Sequence, residues 1–131
     1  KPIHILGIGG LDDILHGVSS GYDTFDCVSP TRIARHGIMM SKLSSKGINL
    51  NNSKFKDDHS SIDEGCELQE INKFSKSYMH HLFKANEMLG MTILSIYNIW
   101  FMNKFFEEIR SSINEDRFEE YKNKILSNLV E

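Results

Sequence analysis

The fold class follows from residues 3–28, which are IHILGIGGLDDILHGVSSGYDTFDCV. Residues 3–8 form a nearly continuous apolar run closed by Gly9 and Gly10, a pattern typical of a strand buried on both faces of a parallel sheet. The next apolar residues recur at the spacing of one helix face, at Leu11, Ile14, Leu15 and Val18. Residues 22–28 predict a second strand, so the region indicates a βαβ unit of an α/β protein.

The rest of the chain divides into a polar middle and a helical end. Residues 30–50 show no helical period, and the segments Ile-Met-Met at 38–40 and Ile-Asn-Leu at 48–50 flank a Ser/Lys/Gly turn, which predicts a β-hairpin. Residues 51–70 are polar and acidic and predict a loop or a lightly ordered subdomain. From Ser75 onward the apolar spacing predicts helices, with Gly90 ending the first and residues 114–116 forming the turn before the last.

A lone βαβ unit with appended helices would leave open strand edges, which proteins usually cover. The predicted architecture is therefore the last βα units of a TIM (β/α)8 barrel, with a hairpin insertion and C-terminal helices. Because such a barrel takes about 250 residues, we expect this chain of 131 residues to be part of a longer one. Three parts are expected: the final βαβ with a catalytic loop at 1–36, the hairpin with a further subdomain at 37–74, and the C-terminal helices at 75–131.

Charge and cysteine content narrow the functional classes. Residues 1–56 carry seven Lys and Arg against four Asp and Glu, whereas residues 57–131 carry eight against fourteen. An RNA contact is therefore expected in the first half. Two cysteines provide no disulfide framework and favour a reduced, cytoplasmic setting. The most apolar stretch, residues 91–106, is interrupted by Asn and Lys and is too short to span a bilayer, so no membrane partner is expected.

The residues best suited to chemistry lie in FDCVSPTRIARHG, residues 25–37. Asp26 falls at the end of the second strand, where barrel enzymes place catalytic groups. A buried carboxylate needs partners, and Arg32 and Arg35, whose planar donor forks suit phosphates and base edges, follow closely. From the residues alone, an Asp paired with an Arg at a strand end is the simpler interpretation, and a catalytic Asp is the alternative.

The same segment resembles the signature of the tRNA-guanine transglycosylases. Four further segments resemble this family in the same order: LGIG at 6–9, INLNNSKFKDD at 48–58, FSKSYMHHLFK at 74–84 and RFEEY at 117–121. The resemblance therefore covers nearly the whole chain. A dinucleotide-binding loop at residues 7–10 is not favoured, because the third glycine and the later acidic residue of that motif are absent.

The resemblance implies an enzyme, a pentosyltransferase that replaces guanine at the tRNA wobble position with a 7-deazaguanine, either queuine or its precursor. It implies that Asp26 is the catalytic nucleophile, which attacks the ribose C1′ and forms a covalent intermediate that the incoming base then displaces. Such a double displacement is the route of retaining glycosidases. The acid–base carboxylate of the family belongs to a part of the barrel that these residues do not include.

The resemblance also implies an RNA-binding surface made by two segments. The expected RNA contacts are Gly7, Ile8, Gly9, Gly10, Leu11, Asp12 and Asp13 in the first segment and Thr31, Arg32, Ile33, Ala34 and Arg35 in the second. Leu6 and Gly7 are expected to line the base pocket. The expected partners are a tRNA with a G-U-N anticodon, the 7-deazaguanine base, and a second copy in a homodimer or a partner subunit.

The sequence departs from the family at its structural zinc site. The family binds zinc through Cys-x-Cys-x-x-Cys and a later His, and without gaps these positions are Cys66, Leu68, Ile71 and Tyr97. One cysteine cannot build a tetrahedral zinc site, so we expect no metal and no cofactor, with Cys66 as a lone remnant. The apolar and aromatic replacements are expected to form a small hydrophobic cluster with the structural role of the metal.

Two other interpretations stay open. The lost zinc ligands favour a non-catalytic RNA-binding or partner subunit, or an inactive remnant, of the same fold. The presence of Asp26, Arg32 and Arg35 favours the enzyme, because a pure scaffold has no use for the nucleophile. An unrelated barrel enzyme with a similar strand end would require four further matches to be accidental.

Overall fold

The predicted βαβ unit is confirmed. In the computed structural model, which describes residues 1–129, strand β1 (His4–Leu6) pairs in parallel with β2 (Thr24–Asp26), and helix α1 (Leu11–Ser19) connects them. The apolar face of α1 is buried, and Asp12 and Asp13 lie in its first turn, where the positive end of the helix dipole favours them.

The prediction that β1 is buried on both faces is wrong for residues 1–129. Ile5 and Phe25 are half-buried, and the Phe25 ring lies 5.7 Å from that of Phe106 on a later helix. The residues on either side of them are exposed, with Leu6 at 71%. Since side chains alternate along a strand, helices cover one face of this sheet and leave the face with Leu6 and Asp26 open.

The prediction of no helix over residues 30–50 is also wrong. Helix α2 (Ser29–Arg35) follows β2 after two residues, with Pro30 in its first turn, where the missing N–H of proline costs little. Ala34 is fully buried and Arg32 and Arg35 are exposed. Seven residues contain too few repeats of an apolar pattern to reveal a helix, so packing against a later helix defines it.

The predicted hairpin is confirmed, with β3 (Ile38–Met39) antiparallel to β4 (Ile48–Asn49). Gly47 precedes β4 with a φ of +70°, and a Cβ atom there would lie 2.6 Å from the Met39 carbonyl oxygen. Residues 51–70 are more ordered than predicted: they contain a 3-10 turn (Ser53–Phe55) and the start of α3 (Gln69–Asn72), and they bury three apolar side chains, those of Phe55, Ile62 and Cys66.

The helical end consists of α4 (Lys76–Lys84), α5 (Met88–Asn114) and α6 (Phe118–Asn128). Ser75 caps α4 by accepting a hydrogen bond from the Tyr78 N–H at 3.1 Å. The prediction that Gly90 ends the first helix is wrong, because Gly90 lies inside α5 and the chain turns at Asn86, whose φ is +54°. A Cβ atom on Gly90 would lie 3.1 Å from that of Leu82, so α4 and α5 approach closely here.

Helix α5 is the centre of the molecule, and α2, β3, α3, α4 and α6 all pack against it. Its buried residues are Gly90, Ile93, Leu94, Tyr97, Asn98, Phe101, Phe105, Ile109 and Ser112. In the described part of the chain no helix, α5 included, combines the length and hydropathy that crossing a membrane requires.

Candidate active site and RNA interface

Asp26 and Leu6 are neighbours on the open face of the β1–β2 sheet. They are register partners in the parallel ladder, and the N–H of Gly7 donates to the carbonyl oxygen of Asp26 at 2.7 Å. Register partners on adjacent strands point to the same face. An exposed carboxylate and an exposed leucine therefore lie side by side at the C-terminal ends of both strands.

The Asp26 carboxylate has no salt bridge and no side-chain hydrogen bond within residues 1–129. Arg32 and Arg35 do not pair with it, so the interpretation of Asp26 as half of a structural ion pair is wrong for this part of the chain. An exposed carboxylate oxygen at a strand end is accessible to a substrate carbon, which is the arrangement that a nucleophile requires.

In the first predicted RNA segment, residues 7–13, some residues are exposed and others are buried in contacts that hold the loop in place. Gly7, Asp12 and Asp13 are exposed, and a Cβ atom at residue 7 would meet no atom of residues 1–129 within 4 Å. Gly9 is buried, and a Cβ atom there would lie 2.5 Å from the sulfur of Cys27, so the loops after β1 and β2 touch at this glycine. The two aspartates repel phosphates, and contacts from them would go to hydroxyl or base N–H donors.

The remaining residues of this segment contribute little side-chain surface. Leu11 is 6% exposed and belongs to the core, whereas Ile8 and Gly10 are half-buried. The Leu11 side chain therefore anchors the N-terminus of α1 in the core, and an RNA contact at this position cannot involve that side chain.

The second predicted RNA segment, residues 31–35, lies within α2. Arg32 and Arg35 are three positions apart and share one exposed helix face, and neither forms a salt bridge among the described residues. Thr31 is half-buried and its hydroxyl donates to the Val28 carbonyl at 3.3 Å. Both guanidinium groups are thus available for phosphates or base edges.

The opposite face of α2 holds the helix in place. Ala34 is fully buried and offers no side chain to RNA, whereas Ile33 is half-buried and packs against the core. The alternation of core and surface positions along residues 32–35 explains how two arginines are presented beside the end of β2.

Asn98 positions this segment and was missed by the sequence analysis. Its fully buried side chain, on α5, donates to the carbonyl oxygens of Pro30 at 2.9 Å and Ile38 at 3.1 Å, and it accepts from the Met40 N–H at 2.9 Å. One amide thereby joins the start of α2 and strand β3 to the central helix. The sequence feature that could have revealed this role is a polar residue within the most apolar stretch, residues 91–106, because a buried polar group needs hydrogen-bond partners.

The model of the queuine tRNA-ribosyltransferase family matches residues 1–131. The chain belongs to this family.

Relatives named queuine tRNA-ribosyltransferase occur in several bacteria. The protein of Clostridium acetobutylicum is 47% identical over 126 residues, which are 96% of this chain and 33% of the relative. That of Clostridium tetani is 44% identical over 98% of this chain and 34% of its own, and that of Dictyoglomus turgidum is 41% identical over 97% and 32%. The chain spans about a third of the length of these relatives.

The side chains at the family's zinc positions do not fit a zinc ion. Leu68 and Ile71 offer no lone pair, and the hydroxyl of Tyr97 is occupied by a hydrogen bond to Asp63 at 2.9 Å. Burial raises the pKa of the Cys66 thiol, which disfavours the thiolate that zinc binds. Within residues 1–129 no three His, Cys, Asp or Glu side chains cluster closely enough to hold a metal.

Proposed function

We propose that this chain is the nucleophile-bearing part of a queuine tRNA-ribosyltransferase, in which Asp26 exchanges guanine for a 7-deazaguanine at the tRNA wobble position. The observation that carries the proposal is the open Asp26 carboxylate at the end of β2, beside an exposed Leu6 and followed by two exposed arginines. The relatives' printed name agrees with this reaction class.

The reaction proceeds by two displacements at the ribose C1′. An Asp26 oxygen forms a bond to C1′ as the glycosidic bond breaks, and guanine leaves with the bonding electrons and takes a proton from an acid. The ring nitrogen of the incoming base then forms the new glycosidic bond and loses its proton to a base, and the Asp26 carboxylate is released. Two inversions give retention at C1′ and require no cofactor.

The acid and base of these steps are assigned to residues outside this chain, as the family resemblance implies. Leu6 and Gly7 lie next to Asp26 and are assigned to the base pocket, since an apolar side chain and an open glycine accept the flat face of a purine. This assignment places the reacting C1′ between the pocket and the carboxylate.

The tRNA is bound through its G-U-N anticodon loop. Arg32 and Arg35 contact phosphates or base edges, and the exposed part of residues 7–13 contacts riboses and base N–H groups. Splayed bases of a single-stranded loop are the usual target of such contacts in RNA recognition. The charge asymmetry of the sequence supports placing this surface in residues 1–56.

The β1–α1–β2–α2 order represents the last two βα units of a TIM barrel. The parallel register of β1 and β2 and the open face that carries Leu6 and Asp26 support this, because a barrel interior would cover that face. Residues 1–36 then form the barrel portion, residues 37–74 the hairpin and degenerate zinc subdomain, and residues 75–131 the C-terminal helices. A homodimer or partner subunit is the proposed assembly, because open strand edges favour association.

The test is labelled-guanine exchange into a stem-loop RNA with a U-G-U anticodon, together with adduct detection on a denaturing gel, using the full-length protein. We expect the parent to exchange guanine and form the adduct, and Asp26→Ala to do neither while still binding RNA. Asp57→Ala, another exposed aspartate in a polar region, is the matched control and should retain both activities. An adduct that survives Asp26→Ala would refute the assignment.

A non-catalytic RNA-binding or partner subunit of the same fold is the second candidate, favoured by the lost zinc ligands at positions 68, 71 and 97. Under this alternative the parent binds the stem-loop but forms no adduct, and Asp26→Ala changes nothing. The same assay therefore separates the two functions.

A further inference from the structure

The four positions of the family's zinc site still connect the same two parts of the molecule. Residues 62–74, called the Cys66 segment below, contain three of the positions, and α5 contains the fourth. The N–H of Ile62 donates to the carbonyl oxygen of Phe74 at 3.1 Å and closes the Cys66 segment at its base. A zinc ion would cross-link this loop to α5.

We propose that the hydrogen bond between Asp63 and Tyr97, supported by the buried Cys66 and Ile71, replaces the zinc and makes this subdomain independent of metal. The inference concerns the folding of the Cys66 segment and does not depend on the catalytic proposal.

The carboxylate of Asp63 joins the Cys66 segment to α5. Its Oδ2 accepts from the hydroxyl of Tyr97 at 2.9 Å, and its Oδ1 accepts from the N–H of Gly65 at 2.9 Å. The N–H of Cys66 donates to the Asp63 carbonyl oxygen at 3.0 Å. Since Tyr97 is only 2% exposed, the bond lies at the edge of the core, where loss of a partner is costly.

Apolar side chains provide the second part of the connection. Cys66 is 7% exposed, Ile71 is 6% exposed and Leu68 packs against the core. Ile71 belongs to α3, which packs against α5. Three positions that would carry metal ligands in the family therefore bury apolar surface here, and this burial stabilises the same junction.

The polar groups around the junction favour hydrogen bonding over metal binding. Burial first, and then the Asp63 carboxylate, raise the pKa of the Tyr97 phenol, so the hydroxyl stays protonated and donates. Both Asp63 oxygens already accept hydrogen bonds. The side-chain oxygen of Asn72 is buried without a hydrogen-bond partner in the described part of the chain, but zinc in proteins prefers thiolate, imidazole and carboxylate ligands to a neutral amide.

The first test measures metal dependence in the full-length protein. Protein expressed with added zinc is analysed for zinc content, and its thermal unfolding is followed with and without EDTA. We expect Cys66→Ser to leave the zinc content unchanged and EDTA to leave the melting temperature unchanged. Loss of one zinc per chain in Cys66→Ser would overturn the proposal.

The second test measures local opening by amide hydrogen exchange. Tyr97→Phe removes the hydroxyl and keeps the ring, and we expect exchange in the Cys66 segment to become about tenfold faster. Tyr121→Phe is the matched control, because Tyr121 also donates to a carboxylate, that of Glu108 at 2.7 Å, and this bond joins α6 to α5 without involving a residue of the Cys66 segment. Unchanged exchange in Tyr97→Phe, or an equal increase in Tyr121→Phe, would overturn the role of the hydrogen bond.

A third variant rebuilds the metal site. Leu68→Cys, Ile71→Cys and Tyr97→His, combined with the existing Cys66, restore the Cys3His pattern. We expect this variant to bind one zinc per chain and its melting temperature to fall with EDTA, in contrast to the parent. Binding of one zinc per chain by the parent as well as by the rebuilt protein would contradict replacement of the metal.

Discussion

At the residue scale, Arg32 and Arg35 are suited to RNA binding, whereas Asp26 is suited to the chemical step. Both are exposed on one face of α2 and lie close in sequence to Asp26, yet neither forms a salt bridge with it or with any other residue of 1–129. Their charges are therefore available to an external anion. Asp26 is likewise open, so removal of an arginine should affect RNA affinity more than the chemical step.

We predict that Arg32→Ala and Arg35→Ala each weaken binding of the stem-loop RNA and reduce the slope of log K against log salt by about 0.7 to 1, the contribution of one phosphate contact. Titrations of the full-length protein at several salt concentrations measure this slope. Arg110→Ala is the control, because Arg110 is exposed on α5 in the acidic half of the chain. An equal change in Arg110→Ala would contradict the assignment.

Asn98 is the residue on which the position of α2 depends. Its amide makes three hydrogen bonds to backbone groups that are separated from it by 58 to 68 positions. In Asn98→Ala the carbonyl oxygens of Pro30 and Ile38 and the N–H of Met40 lose these partners. We predict a loss of about 3 kcal/mol in the free energy of unfolding, measured by urea denaturation.

The control for Asn98 is Asn103→Ala, since Asn103 lies on the exposed side of the same helix. A surface substitution of this kind should change the free energy of unfolding by less than about 0.5 kcal/mol. If Asn98→Ala costs no more than Asn103→Ala, the amide does not anchor the segment.

At the scale of elements, the contact between α4 and α5 depends on Gly90. The sequence predicts this glycine as a helix end, but it lies in the first turn of α5 facing Leu82 and Phe83. The absent side chain lets the two helices approach. A glycine within a helix normally lowers stability, so its presence here indicates that close packing outweighs helix propensity.

We predict that Gly90→Ala lowers the free energy of unfolding by about 1 kcal/mol. The gain in helix propensity, about 1 kcal/mol, is smaller than the cost of overpacking against Leu82, about 2 kcal/mol. Thermal and urea unfolding of the parent and of Gly90→Ala show directly whether the free energy of unfolding falls or rises. An increase in stability would show that α4 can move away at little cost and that the close approach is not required.

At the scale of the whole molecule, the two faces of the β1–β2 sheet differ in how much of their surface is covered. Helices cover one face, whereas Leu6 and Asp26 lie on a face that residues 1–129 leave uncovered. The relatives are about three times as long as this chain. If the open face is a barrel interior, the rest of the full-length protein covers it and turns Leu6 into a pocket residue.

Leu6 and Leu43 provide a matched pair for this idea, because they are 71% and 70% exposed. In the full-length protein we predict that Leu6→Glu raises KM for the incoming base at least about tenfold, since a charge replaces an apolar contact. Leu43→Glu, in the hairpin turn, should leave KM unchanged. Equal effects of the two substitutions would contradict a pocket on the open face.

The sequence alone predicted the elements that a local signal marks. Helix α1 and the last helix were recognised because apolar residues repeat about every four positions in them, the strands of the βαβ unit because they are short apolar runs, and the hairpin because turn residues separate two such runs. The catalytic role of the segment around Asp26 was predicted from its resemblance to the family signature, because the residues alone favoured a structural ion pair. The family membership predicted from these residues is confirmed.

Only the tertiary structure decided what distant residues do together. The helix at Ser29–Arg35 is too short to show a period and forms because α5 supports it, and Asn98 acquires its role from backbone groups about sixty positions away. The pairing of Asp63 with Tyr97 and the position of Gly90 depend likewise on helix packing. Local patterns determine elements because neighbouring residues share one backbone geometry, whereas contacts across the fold depend on how all elements pack at once.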